Sequence, residues 1–151
     1  MIRIERTTYQ NKNFPGLVAK LDDYLSETDG EEHDFYHQYN GIENLNHVVI
    51  AYLDEVAVGC GAIKEFDSNS VEVKRMYVSP ETRGQGIASL LLKELEKWTS
   101  ELNFKNCILE TGKRQPEAIA LYTKNKYKVI PNYGQYKGME NSVCFKKELT
   151  A

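Results

Sequence analysis

The sequence of 151 residues predicts an α+β domain on a mixed sheet, and three observations carry that prediction. Two β-branched runs, His47–Leu53 and Val56–Phe66, flank Asp54-Glu55 and read as a hairpin. After Val78 the apolar period changes to about 3.6, with Ile87, Leu90, Leu91, Leu95 and Trp98 on one helical face. The whole order is strand, helix, helix, three strands, helix, strand, helix and two strands, which is no regular βαβ array.

Each element has its own signal. Met1–Thr8 alternates apolar and polar residues, as a strand with one buried face does. Phe14–Thr28 sets Leu17, Leu21, Tyr24 and Leu25 at helical spacing, with Pro15 acceptable in a first turn and Asp29-Gly30 as its end. Glu31–Asn40, acidic and aromatic at once, is expected to form a short second helix. Asp67–Ser70 is a turn into the strand Val71–Val78. A helix from Gln85 to Leu102, a strand Asn106–Glu110 and a helix Pro116–Asn125 follow, the last with Ala118, Leu121 and Tyr122 on one face. Tyr127–Ile130 and Ser142–Glu148 close the chain as strands, joined by the Tyr- and Gly-rich loop NYGQYKGMEN. With no repeat, linker or low-complexity tract, residues 1–151 read as one domain.

Nineteen Lys and Arg stand against 22 Asp and Glu, a formal charge of −3. That balance lacks the basic field on which non-specific nucleic-acid binding depends. No apolar run reaches the ~18 residues of a membrane span, and MIRIERTTYQ lacks the apolar core of a signal peptide. Three cysteines, Cys60, Cys107 and Cys144, cannot all pair within one chain. They sit in apolar, strand-like stretches and read as buried thiols in a reducing cytoplasm. There is no CxxC or HxxxH spacing, so no metal is expected.

The chemistry starts at Val78-Ser79-Pro80-Glu81-Thr82-Arg83-Gly84-Gln85-Gly86-Ile87-Ala88, between a strand and the amphipathic helix. Gly84 and Gly86, followed by the small Ala88, let another object approach the backbone closely. The helix start adds unpaired N–H groups and the positive end of the dipole, so the segment suits a phosphate or pyrophosphate. The alternative is that the glycines only shape a tight turn. A GxxxxGK[ST] loop is absent, and the spacing is not that of a dinucleotide fingerprint.

R-G-Q-G-I-A resembles the acyl-CoA loop of the GNAT superfamily of N-acyltransferases, R/Q-x-x-G-x-G/A. Lys74-Arg75-Met76-Tyr77-Val78-Ser79-Pro80 looks like that family's preceding strand and its exit. Ala118-Ile119-Ala120-Leu121-Tyr122-Thr123-Lys124-Asn125-Lys126-Tyr127 resembles its A-x-x-L-Y-x-K-x-G-F/Y helix. Two positions depart from the pattern. Gln115 stands where Asn is frequent, and Lys126 stands where a glycine usually closes the helix in a left-handed conformation.

The resemblance implies a GNAT-like fold: a mostly antiparallel central sheet, a V-shaped splay between strands 4 and 5, and helices on both faces. It implies acetyl-CoA as co-substrate, its pantetheine beside Met76, Tyr77 and Val78 as a missing strand would lie. The pyrophosphate would rest on Arg83, Gly84, Gln85, Gly86, Ile87 and Ala88, with Gln115 also at the cofactor. Tyr122 takes the place of the general acid: a phenol of pKa about 10 stays protonated beside a departing thiolate of about 8.5. Glu72 and Glu110, on the strands flanking the V, are the two candidates for activating the amine, although a water relay would also serve.

The same resemblance brings the acceptor past Glu31–Asn40 and Asn132–Asn141. His33, Asp34, Tyr36, Tyr133 and Tyr136 offer carboxylate and π faces to an ammonium group, in company with His37 and Tyr39. Acid gathers there too, at Asp22, Asp23, Glu27, Asp29, Glu31, Glu32 and Asp34. The expected activity is acetyl transfer to a primary amine of a small cationic or zwitterionic acceptor, small molecule or peptide, without a covalent enzyme intermediate. The alternative is a non-catalytic acyl-CoA-binding module of the same fold. Small transferases of this kind often dimerise, so a homodimer is compatible with the sequence.

Overall fold

A computed structural model describes residues 1–29 and 44–149. The strands are β1 (Ile2–Thr7), β2 (His47–Leu53), β3 (Val56–Glu65), β4 (Ser70–Val78), β5 (Asn106–Gly112), β6 (Lys128–Ile130) and β7 (Ser142–Glu148). The helices are α1 (Phe14–Asp29), α2 (Ile87–Glu101) and α3 (Pro116–Lys124). The helix expected at Glu31–Asn40 lies outside the described residues. No described helix is long and apolar enough to cross a membrane.

The seven strands form one sheet in the order β1-β2-β3-β4-β5-β7-β6, antiparallel except for the parallel β4–β5 pair. The β2–β3 hairpin turns at Asp54 and Glu55, whose φ angles of 50° and 67° match the twist of the strands they join. Alternation along β2 then divides the core. Val48 and Ile50 pack with Phe14, Leu17 and Val18 of α1, whereas Val49 and Ala51 join Ile87, Leu91, Leu92 and Leu95 of α2. Leu109, Phe145, Tyr122 and Tyr127 complete the second cluster, which brings α3 onto the same face as α2.

The V-shaped splay is present. β4 and β5 pair only at Ser70↔Asn106, Val71↔Cys107 and Glu72↔Ile108, and then diverge. Along its other edge β5 stays paired with β7 from Asn106 to Gly112. Past Val73, then, β4 offers unpaired backbone groups toward the gap, and β5 does so past Leu109.

A bulge in β4 accompanies the divergence. On β3 two steps separate Cys60 from Ala62, but on β4 their partners Tyr77 and Lys74 are three apart. The extra residue bends and twists the strand. Arg75 within it has φ 59°, a left-handed conformation that costs a non-glycine residue about 1–2 kcal/mol. The bulge also resets parity. Val71 and Val73 face the α2 cluster, as Met76 and Val78 do, while Tyr77 faces the α1 cluster and Arg75 reaches Asp22 of α1.

Gly59 shows how tightly β3 and β4 meet beyond the bulge. A Cβ there would stand 2.9 Å from the Tyr77 carbonyl oxygen and 3.1 Å from Leu91 Cδ1. Because the first neighbour is backbone, Gly59→Ala is expected to destabilise by about 1–3 kcal/mol. Thermal melting checks it, at roughly 2–4 °C lost per kcal/mol for a chain of this size.

The end of α3 is closed as the sequence departure suggested, with Lys126 at φ 73°. The Lys126 N–H donates to Thr123 O at 3.1 Å and the Tyr127 N–H to Tyr122 O at 3.0 Å, the paired bonds of a Schellman motif. Its apolar contact is Tyr122 against Tyr127, with ring centroids 5.8 Å apart. Lys126→Gly is therefore expected to stabilise the fold by about 1 kcal/mol by removing the left-handed strain. A rise of roughly 2–4 °C in the melting temperature would register it.

The three cysteines are fully buried free thiols. Burial pushes Cys60 up to about 12, and Cys107 and Cys144 up to about 11 each.

Candidate functional site

β4 delivers the chain to α2 through a tightly bonded corner. The Ser79 N–H donates to Val58 O at 2.8 Å, and Thr82 Oγ1 donates to Ser79 O at 2.9 Å across the single turn Pro80–Thr82. Gly84 and Gly86 then take left-handed conformations, φ 87° and 77°. Gly86 is the residue that caps α2, so the helix begins at Ile87 rather than at the expected Gln85. The first helical bond at this end runs from the Leu90 N–H to Gly86 O at 3.1 Å. Ile87, Ala88 and Ser89 precede any helical acceptor for their N–H groups.

The space above this loop is open. A Cβ on Gly84 or on Gly86 would meet nothing within 4 Å. These glycines are therefore not forced by packing within the chain, unlike Gly59. They leave a cradle of bare backbone at the positive end of a helix, which fits an anion such as the pyrophosphate of CoA. Arg83 adds charge, its guanidinium 5.9 Å from the Tyr24 ring centroid.

Two cavities flank β4 and meet at Tyr122. The outer one, about 420 Å³, follows Met76, Tyr77 and Val78 to Arg83, Gly84, Gly86, Ile87 and Ala88. All eight were named from the sequence as cofactor-binding candidates, and Gln115 joins them in the wall. Gln85 is exposed and stands outside that wall. The inner cavity, about 110 Å³, reaches between the splayed strands to Glu72, Glu110 and Tyr136. Tyr122, Met76, Gln115, Ala118 and Leu21 belong to both.

Tyr122 is buried, with 6% exposure, between Tyr127 and Phe145, whose ring centroids lie 5.8 and 5.9 Å away. Burial first, and the charge of Glu110 second, push its phenol above the ordinary tyrosine range. At neutral pH it is a protonated hydroxyl, a donor and not an anion.

The two candidate carboxylates differ in their partners. Glu72 Oε2 accepts from the Tyr133 hydroxyl at 2.7 Å, and Oε1 lies 3.4 Å from Lys74 Nζ. Glu110 Oε2 accepts from Ser142 Oγ at 2.8 Å. Tyr133 thus reaches the inner cavity wall through its bond to Glu72, its ring packed edge-on against Phe66 at 5.1 Å and Tyr136 at 5.6 Å. The loop carrying both tyrosines is pinned by Asn132, whose Nδ2 donates to the carbonyls of Tyr136, Met139 and Ser142 at 3.1–3.2 Å. His33, Asp34 and Tyr36 lie outside the described residues, as do His37 and Tyr39. Among the described residues no group of three or more His, Cys, Asp or Glu gathers to hold a metal ion.

Three contributors escape a reading by motif. Lys74 and Arg75 line the inner cavity together, although strict alternation would send neighbours to opposite faces. The bulge that unites them has no glycine or proline to announce it. Asn132 could have been suspected only as a loop residue able to bond backbone groups.

Comparison with known proteins gives concordant results. The model of the acetyltransferase (GNAT) family matches residues 14–127. The chain is 31% identical over 122 residues to a protein of Azospirillum brasilense named IAA acetyltransferase, covering 80% of each. Its structure is similar to that of an acyl-CoA N-acyltransferase from Klebsiella pneumoniae, with a TM-score of 0.84, 30% identity and 99% of both chains covered. A GNAT family acetyltransferase from Elizabethkingia anophelis, solved with acetyl-CoA bound, shares the fold at a TM-score of 0.68 and 19% identity over 98% of each chain.

Proposed function

The chain belongs to the acetyltransferase (GNAT) family, and on that premise we propose that it moves an acetyl group from acetyl-CoA to the primary amine of a small cationic or zwitterionic acceptor. The observation that carries this reading is the position of Tyr122, in the common wall of both cavities. A group there can meet a thioester arriving from one side and an amine arriving from the other.

The roles follow from position and charge. The backbone at Gly84–Ser89 and Arg83 hold the pyrophosphate by charge-assisted bonds. The unpaired edge of β4 at Met76–Val78 bonds the pantetheine amides. Glu110, on the diverging strand and close enough to act on the Tyr122 phenol, takes the proton that the amine must lose. Glu72, already bonded by Tyr133 and Lys74, attracts the incoming ammonium. As the C–N bond forms and the C–S bond breaks, the Tyr122 hydroxyl donates a hydrogen bond to the departing sulfur.

Transfer is direct. The thiols that a covalent acetyl-enzyme would need are buried and pushed far toward the neutral form, and a neutral thiol is a weak nucleophile. The test is to incubate the protein with acetyl-CoA and a panel of primary amines while following release of the CoA thiol. Release with at least one amine, and the matching acetyl-amine by mass spectrometry, is the expected result. Binding of CoA without release for every amine would sink the transferase reading.

A further inference from the structure

Arg75 is the group in the inner cavity that acetyl transfer leaves unexplained. Its side chain is 2% exposed, and Nη2 donates to the two oxygens of Asp22 on α1 at 3.1 and 3.4 Å. Nε and Nη1 are buried and have no hydrogen-bond partner among the described residues. Of the five N–H donors on a guanidinium, the one on Nε and the two on Nη1 are therefore unmet. Buried donors on a charged group are among the more expensive to leave unmet, and native folds rarely do so without a reason.

The backbone supplies a second, independent departure. Arg75 sits at φ 59° in the β4 bulge. With regular alternation its side chain would turn away from Glu72 and Lys74, into the apolar cluster beneath α2. The strained residue instead adds a cation to the wall that already carries Glu72 and Glu110. An ion pair with Asp22 needs only Nη2, so it does not account for the other two nitrogens. Lys74, the other cation in this wall, is already paired with Glu72 at 3.4 Å.

We propose that Arg75 receives a carboxylate of the acceptor, so that the acceptor is an amino-acid-like zwitterion with its carboxylate a few bonds from the reacting amine. This rests on the transferase reading above and narrows its acceptor class. The cavity wall carries both signs of charge, Glu72 and Glu110 for the ammonium and Arg75 for the carboxylate. Its volume of about 110 Å³ is several times the ~10–15 Å³ that one water needs, which leaves room for a small polar head group.

Matched triplets test it: amino acids of varied side chain, their α-amides and the corresponding decarboxylated amines, each with acetyl-CoA. The expected result is a kcat/KM at least about tenfold higher for the carboxylate-bearing member of the triplets that react, expressed chiefly in KM. Arg75→Gln should bring that ratio to about one, and Arg75→Lys should retain part of it. Amides or decarboxylated amines used as well as the amino acids by the unaltered protein would overturn the inference while leaving the transferase reading intact. So would an Arg75→Gln protein that folds and keeps the preference. No CoA release from any triplet would overturn the inference, and the transferase reading would fall with it only if every other primary amine in the panel failed as well. The comparison within the unaltered protein stands even if the variants fail to fold.

Discussion

Tyr122→Phe is expected to lower kcat by about 10²–10⁴-fold, the range spanned by loss of a positioned proton donor. The affinity for acetyl-CoA should stay within about twofold, because the ring keeps its apolar contacts with Tyr127 and Phe145 and only the oxygen is lost. Steady-state kinetics and CoA titration of the same preparation check both halves. Turnover unchanged in the variant would remove Tyr122 from the mechanism. The pH profile adds a sign. Burial and Glu110 raise the phenol's pKa, so its hydroxyl remains a donor through neutral and mildly alkaline pH. An alkaline fall in kcat between pH 7 and 9 would then belong to another group.

The second large effect is expected at the glycine cradle. Gly84→Ala with Gly86→Ala adds two methyl groups where nothing else lies within 4 Å, so neither collides with the fold. What the fold bears is the left-handed strain at φ 87° and 77°, about 1–2 kcal/mol for each position. What the ligand bears is displacement from the backbone N–H groups. Losing one charge-assisted bond, worth about 1.5–3 kcal/mol, raises the KM for acetyl-CoA roughly 10- to 150-fold. Introducing Lys126→Gly into the same protein offsets part of the stability loss and isolates the effect on binding. An unaltered KM would show that the two glycines serve only the turn.

The cradle could be read in the sequence because it is made of backbone, and backbone conformation is dictated locally by glycine and by the start of an amphipathic helix. The same holds for the β2–β3 hairpin and for the strand Ser142–Glu148, whereas the left-handed Lys126 is legible only through the family resemblance, which has a glycine there. Element ends were less legible. α2 starts at Ile87, two residues after the expected Gln85, because both glycines are left-handed, and β5 runs on to Gly112 because β7 pairs with it that far. Least legible was the identity of the inner wall. Alternation would put Lys74 and Arg75 on opposite faces, and only the register with Cys60 and Ala62 reveals the extra residue that unites them. Likewise, nothing in the spacing of Glu72 and Tyr133 foretells a bond of 2.7 Å between a strand and a loop 61 residues away.

The buried cysteines bear on how this protein is best assayed. Cys60, Cys107 and Cys144 are sealed in the folded chain and pushed up to about 12, 11 and 11. At pH 8 the native protein should therefore give almost no colour with a thiol reagent such as Ellman's, and three equivalents only after denaturation. Every CoA thiol set free in turnover then stands against a blank background, and a slow rise with neither acetyl-CoA nor acceptor present becomes a direct reading of local unfolding.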